Sequence, residues 1–271
     1  MASLPGGCPS PEAYIELIGS PNFANLRRHS KEFLGSNAEV LADYGAKWSI
    51  DPLEHWSRRW EYAYVAQQVK SSGANDIFDA GSGLTFFPSF LCVHTHANQV
   101  TCADIDSSYI ETFRALKGPG QSDCRLMITD AANLGVASES FDATLCISVL
   151  EHMPNFREAA SELARVTRPG GLICITFDID LKPGAGGISF IGAQELLTEL
   201  KKYGEPNEDY DQLLKEMSKQ IIPLSQKWVK VYDRRNRSLA DKLKFWIYTR
   251  VQRSKLQNLT FFCCSYTRRE F

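Results

Sequence analysis

The residues with the spacing to do chemistry begin at Gly81-Ser82-Gly83, which follows the short strand-like run Ile77 to Ala80 and precedes a helix-compatible apolar segment. A glycine turn between a strand and a helix lets backbone N–H groups approach a polar ligand, because glycine has no Cβ and tolerates positive φ. Taken alone, such a turn is as often a plain connection. A second run, Gln99 to Asp104, ends in a carboxylate 23 positions after Gly81. That is near the ~20-residue offset at which an acidic side chain meets a ribose diol in dinucleotide-type folds. Together the turn and the carboxylate point to a ligand that carries a ribose.

The elements that must hold these residues alternate. After Gln99–Asp104, Asp106-Ser-Ser caps a helix to about Lys117, and Arg125 to Thr129 forms a third strand ending at Asp130. Ser140 to Ser148 forms a fourth strand, Pro154 to Val166 an amphipathic helix, and Arg168-Pro-Gly-Gly171 turns into a fifth strand, Leu172 to Phe177. Strands alternating with helices imply parallel crossovers, hence an α/β doubly wound sheet. Ligands in such sheets bind at the carboxyl ends of the strands, where Gly81, Asp104, Asp130 and Ser148 fall.

Upstream, Glu12 to Ala46 suggests short helices forming a cap. Tyr44, Trp48, Trp56, Trp60, Tyr62 and Tyr64 then crowd into 21 positions. Asp51-Pro52 is an N-cap with proline at the first helical position, so Leu53 to Lys70 reads as one helix. Trp56, Trp60 and Tyr64 share one face and belong to the core. Tyr44 and Trp48 are candidates to line a ligand pocket. Arg58 and Arg59 lie off the stripe, and we assign Arg59 as the one that reaches a ligand carboxylate.

With 271 residues, 44% hydrophobic and 23% charged, the chain has the composition of an ordinary globule with ample core. No apolar run approaches the ~18–20 residues that span a bilayer. The first residues, rich in proline and glycine, lack the form of a signal peptide, which makes the cytoplasm the expected location. The eight cysteines contain no Cys-x-x-Cys pair and read as reduced thiols. His94 and His96 could ligate metal, but histidines near a helix C-terminus are more often structural. Ten Lys/Arg against Asp233 and Asp241 make Lys227–Lys255 locally basic. A net charge of −2 argues against a broad nucleic-acid surface.

Four blocks in order resemble the class I S-adenosylmethionine-dependent methyltransferases, in their type 11-like small-molecule branch. They are Asp79-Ala-Gly-Ser-Gly83; Ala103-Asp-Ile-Asp106; Thr129-Asp-Ala131 followed by Ser140-Phe-Asp142 and Ser148-Val-Leu-Glu-His152; and Arg165-Val-Thr-Arg-Pro-Gly-Gly171. The resemblance implies a mostly parallel seven-stranded sheet with an antiparallel edge strand near Asn258–Tyr266. It implies a helical cap over residues 1–70, a core over 71–271 and a substrate-side helical insertion around 184–256. The cofactor would be S-adenosylmethionine, leaving S-adenosylhomocysteine as product. Asp79, Gly81, Ser82 and Gly83 would form the turn at the methionine moiety, and Asp104 would take the ribose hydroxyls. Ile105 would pack on the adenine, Asp130 with the Ala131 N–H would read the adenine edge, and Ser148 would lie near the methionine part.

The family often has a third glycine where this chain has Thr85, and a nicotinamide fingerprint wants glycine where it has Phe86. Methyl transfer needs alignment above all, and a base only if the acceptor must lose a proton. His152 is the candidate base. Asp178 and Asp180 suggest a metal set whose remaining members are not recognisable, so no metal is expected. The implied activity is methylation of an oxygen or nitrogen on a small-molecule acceptor, such as a specialised natural product. The alternatives are methylation of a peptide or protein, for which the basic segment is the hint, and a catalytically silent binding scaffold.

Overall fold

In the computed structural model, which describes residues 3–181, 184, 186–219, 224–234, 238–243 and 259–270, the alternation closes into one sheet. Its strands are β1 (Asp76–Ala80), β2 (Gln99–Asp104), β3 (Cys124–Ile128), β4 (Phe141–Ile147), β5 (Thr167–Asp180), β6 (Gly204–Pro206) and β7 (Leu259–Arg268). The spatial order is β3-β2-β1-β4-β5-β7-β6. Neighbours from β3 to β5 run parallel, while β7 is antiparallel to both β5 and β6. The order reverses direction between β1 and β4, so the carboxyl ends of β1, β2, β3 and β4 surround the switch point where ligands bind.

The helices are α1 (Pro11–Ile18), α2 (Pro21–Asn37), α3 (Ala42–Lys47), α4 (Trp56–Ser72), α5 (Phe87–His94), α6 (Tyr109–Ala115), α7 (Phe156–Val166), α8 (Phe190–Leu200), α9 (Tyr210–Lys219) and α10 (Gln226–Arg234). The first two start alike: Ser10 and Ser20 accept from the N–H groups of Ala13 and Phe23, and each precedes a proline. Side chains of α1, α2, α4, α5 and α10 join one face of the sheet in a common core, and α7, α8 and α9 cover the other. The aromatic stripe of α4 is core as expected. Trp60 and Tyr64 are fully buried, Trp56 meets Phe261 of β7 at 5.1 Å, and the Tyr14 hydroxyl donates to the Trp56 carbonyl at 2.9 Å.

Three local expectations need correction. The helix expected over Leu53–Lys70 is broken: Asp51 accepts from the Leu53 N–H at 3.0 Å and the Ser30 hydroxyl at 2.9 Å, closing a single 3-10 turn over Pro52–Glu54. His55 is then extended, with ψ 126°, before α4 starts at Trp56. Arg168-Pro-Gly-Gly171 is not a turn before the fifth strand but an irregularity within β5, where pairing with β4 slips between Phe141 and Ala143. A Cβ on Gly171 would meet the Asp142 carbonyl oxygen at 2.7 Å, which is why glycine sits there. Finally, β7 is not the outermost strand, because the short β6 pairs along its far side. Of the basic segment, residues 235–237 and 244–255 lie outside the described residues. No helix among the described residues is long and apolar enough to cross a membrane.

Candidate active site

A cavity of about 630 Å³ lies over the carboxyl ends of β1 to β4, closed from above by α3, the 3-10 turn and the start of α4. Gly81, Ser82, Gly83, Asp104, Ile105, Asp130, Ala131, Ser148, His152, Tyr44 and Trp48 all line it. Asp79 and Arg59 do not.

The glycine turn is built as its sequence requires. Gly81 and Gly83 have φ of 69° and 56°, and the Gly81 and Ser82 N–H groups both donate to the Ala103 carbonyl, at 2.8 and 3.1 Å. A Cβ on Gly81 would meet Val149 Cγ2 at 2.5 Å, and one on Gly83 would meet the Tyr44 hydroxyl at 2.6 Å. The turn is thereby locked against β2, β4 and the N-terminal cap at once. Asp104 is oriented by two backbone donors, Gly83 N–H and Asp106 N–H, each at 3.1 Å. Next to it Ile105 is 72% exposed, an apolar face bare to the cavity. Asp130 accepts from the Ala132 N–H at 2.9 Å. Asp79 is buried beneath the turn; burial and the nearby Asp104 charge push its carboxyl up to about 7.

Thr85, at the position of the absent third glycine, is tied into this floor. Its hydroxyl is hydrogen-bonded to Tyr62, donates to the Ser82 carbonyl at 3.4 Å and accepts from the Phe87 N–H at 3.4 Å. Tyr44 sits over the glycine turn and meets Tyr109 edge-on at 5.5 Å. Burial raises its hydroxyl to about 12.

Arg59 is engaged elsewhere: it donates to the Leu53 carbonyl and pairs with Asp233 of α10 at 2.9 Å. Arg58, one position earlier and so about 100° around the helix, is the guanidinium in the cavity wall. Its Nη1 donates to Glu61 Oε2 at 2.5 Å and to the Ser148 hydroxyl, and Ser148 in turn donates to Glu61 Oε1 at 2.8 Å. Burial works against the Arg58 charge, but Glu61, fully buried beside it, holds it protonated above the usual arginine range. Ser148 has a left-handed φ of 48°, rare for a residue with a Cβ.

His55 and His152 both line the cavity, the first from the cap and the second from the turn after β4. Burial and the Arg58 charge lower both imidazoles below the ordinary histidine range. They are neutral at neutral pH. His94 does not line the cavity: it packs against Phe90 and His29 at ring distances of 4.5 and 5.4 Å. Among the described residues no group of three or more His, Cys, Asp or Glu is placed to hold a metal ion.

Behind Ser148 lie two further acids. Glu151 Oε1 accepts from the Asp178 N–H at 3.0 Å, while Glu151 Oε2 and Asp178 Oδ1 are buried without a hydrogen-bond partner. Burial, with repulsion from Glu61, pushes Asp178 up to about 8 and Glu151 up to about 7. In the unfolded chain both ionise in the ordinary carboxylate range, so between about pH 4 and pH 8 these two groups hold more protons in the folded state. The contribution of this pair to stability is therefore largest in mild acid, and above about pH 6.5, where histidines are neutral in both states, stability should decline as pH rises toward 8. Thermal unfolding at a series of pH values should show this decline, and Asp178→Asn should flatten it.

Arg58, Glu61 and His55 escape assignment from the sequence. Their signal is faint: an Arg–Glu pair at i, i+3, which on most helices is a solvated surface pair.

The family described as methyltransferase domain matches residues 78–175. The chain is 33% identical over 113 residues to the O-methyltransferase resE of Aspergillus sclerotiorum, covering 41% of this chain and 42% of that one. It is 32% identical over 130 residues to the methyltransferase GfsG of Streptomyces halstedii, covering 47% and 46%. The chain thus spans less than half the length of these curated relatives. Among solved structures, the N-methyltransferase NodS of Bradyrhizobium japonicum WM9, in complex with S-adenosylhomocysteine, superposes with a TM-score of 0.52 at 14% identity, over 87% of this chain and 99% of that one. The [4+2]-cyclase SpnF superposes at 0.50 with 16% identity, over 87% and 93%. Residues 78–175 thus match a methyltransferase domain, carried on a seven-stranded, mostly parallel sheet of the fold seen in these solved structures.

Proposed function

We propose that the chain transfers a methyl group from S-adenosylmethionine to a hydroxyl oxygen of a small organic acceptor. The observation that carries this is the convergence on one cavity of the positive-φ glycine turn, the Asp104 carboxylate and Asp130, at the ends of three adjacent strands. The residues fit the cofactor in chemistry as well as position. Asp104 has its carboxylate already oriented for a diol, Ile105 offers a bare apolar face for a purine, and Asp130 with the Ala131 N–H offers an acceptor and a donor at its edge.

Bound S-adenosylmethionine supplies a methyl group that its sulfonium already makes electrophilic. The chain's own work is to align the acceptor, exclude water and take one proton. Trp48, Pro52, Met153 and Pro154 give the outer cavity an apolar wall, and the N-terminal helices act as its cap. His152, neutral at neutral pH, accepts the hydroxyl proton on the ring nitrogen that faces the acceptor. Oxygen is favoured over a protonated amine by the wall itself. Among the described lining residues the only carboxylates are Asp104 and Asp130, at the nucleoside end, and the acceptor end has none to receive an ammonium. The relative resE, an O-methyltransferase, agrees with this.

Calorimetric titration with S-adenosylhomocysteine and, separately, NAD tests the assignment. The first should bind and the second should not. Asp104→Ala should weaken S-adenosylhomocysteine by about 10- to 100-fold, the loss of charge-assisted hydrogen bonds; unchanged affinity would sink the ribose assignment.

A further inference from the structure

The Arg58–Glu61–Ser148 triangle has no part in the methyl-transfer chemistry described above, yet each of its members is hydrogen-bonded to the other two, and Arg58 and Ser148 line the cavity. Glu61 is completely buried and uses both carboxylate oxygens, one on Arg58 and one on Ser148. Ser148 is held in a left-handed conformation at the end of β4, where its N–H donates to the Thr176 carbonyl of β5 at 2.9 Å. The following residue, Val149, is the one against which Gly81 packs. The triangle therefore pins α4 to the β1–β4 end of the cavity, two strands away from β3 and its Asp130.

Across the sheet, charge is distributed with the same polarity. Asp130 follows β3 and Asp104 ends β2, while Arg58 stands over β1 and β4 and is the only lysine or arginine among the described lining residues. A ligand with its nucleoside at β2 and β3 brings its amino-acid end to Arg58. Only Nη1 of Arg58 is committed to Glu61 and Ser148. A guanidinium is a planar fork of five N–H donors suited to a carboxylate, but it is selective only if held in one orientation.

We propose that Glu61 is a positioning residue: it fixes Arg58, through Nη1 and through Ser148, so that the rest of the guanidinium binds the carboxylate at the methionine end of the cofactor. The proposal rests on the cofactor assignment above. It makes Glu61 a determinant of how strongly the protein distinguishes a full amino-acid tail from a bare nucleoside thioether.

The test uses two probes, S-adenosylhomocysteine and 5′-methylthioadenosine, which shares the nucleoside but lacks the carboxylate. In Glu61→Leu, S-adenosylhomocysteine should bind about 10-fold or more weaker, as for one lost charge-assisted contact, while 5′-methylthioadenosine stays within about twofold. Glu61→Gln, which keeps the shape and one acceptor oxygen, should restore part of the difference. If Glu61→Leu does not fold, Glu61→Gln alone decides, through the ratio of the two affinities against that of the unaltered protein. Equal loss of both probes would make Glu61 merely structural, and an unchanged or raised ratio would remove Arg58 from the carboxylate; either overturns the proposal. If the unaltered protein binds neither probe, it is the cofactor assignment that fails.

Discussion

Gly81→Ala should abolish detectable S-adenosylhomocysteine binding, a loss of at least about 100-fold in affinity, with the protein still folded. Two costs meet at this residue. Its φ of 69° is strained for any residue with a Cβ, at about 1–3 kcal/mol. The added methyl would also lie 2.5 and 2.9 Å from the two γ-carbons of Val149, so the turn or the β4 end must move. Both form the wall where the ligand's tail would lie. Gly73 supplies the control: its φ is 69° as well, but a Cβ added there would meet nothing within 4 Å. Gly73→Ala should lower thermal stability without touching ligand affinity. If both variants bind normally, the turn is not the cofactor contact.

His152→Ala should lower kcat by about 10²–10⁴-fold, the usual reach of a general base, and leave S-adenosylhomocysteine affinity as it was. The pH dependence carries the sharper expectation. A base must be unprotonated to act, and burial and Arg58 both push this imidazole below the ordinary histidine value. The acid limb of kcat against pH should therefore fall below the ~6.5 of a free histidine, and it should vanish in the variant. His55 shares the cavity and the lowered pKa. If His152→Ala keeps the limb and the rate, His55 is the next residue to replace.

What the sequence makes legible follows from how locally each feature is encoded. The glycine turn, Asp104, Ile105 and Asp130 each sit at a strand end, and a strand end is a short-range pattern of apolar residues followed by a break. Parallel crossovers then bring those ends together whatever the helices do. Arg58 and Glu61 depend instead on how α4 is rotated against the sheet. The Trp56–Trp60–Tyr64 stripe fixes that rotation only once it is known that the stripe faces β5 and β7. Arg59 in place of Arg58 is an error of one residue, about 100° of helix. The break at His55 is hidden for a similar reason: Asp51-Pro52 is a sound helix start, but Ser30 of α2, 21 positions away, shares its carboxylate and shapes a shorter turn.

The placement of β7 has a consequence for how the chain is made. This strand inserts between β5 and β6 and pairs with nine residues of β5, from Leu172 to Asp180. It also carries Phe261 and Phe262 into opposite cores, and its Cys263 pairs with Gly7 near the other end of the sequence. During synthesis, every earlier strand leaves the ribosome before β7 does. The β5 edge thus waits, apolar and unpaired, for a partner that emerges late, and an unpaired edge of that kind is prone to self-association. Vectorial folding can complete the β3-β2-β1-β4-β5 half, but β6 and the N-terminal segment at Gly7 can dock only after β7 has arrived.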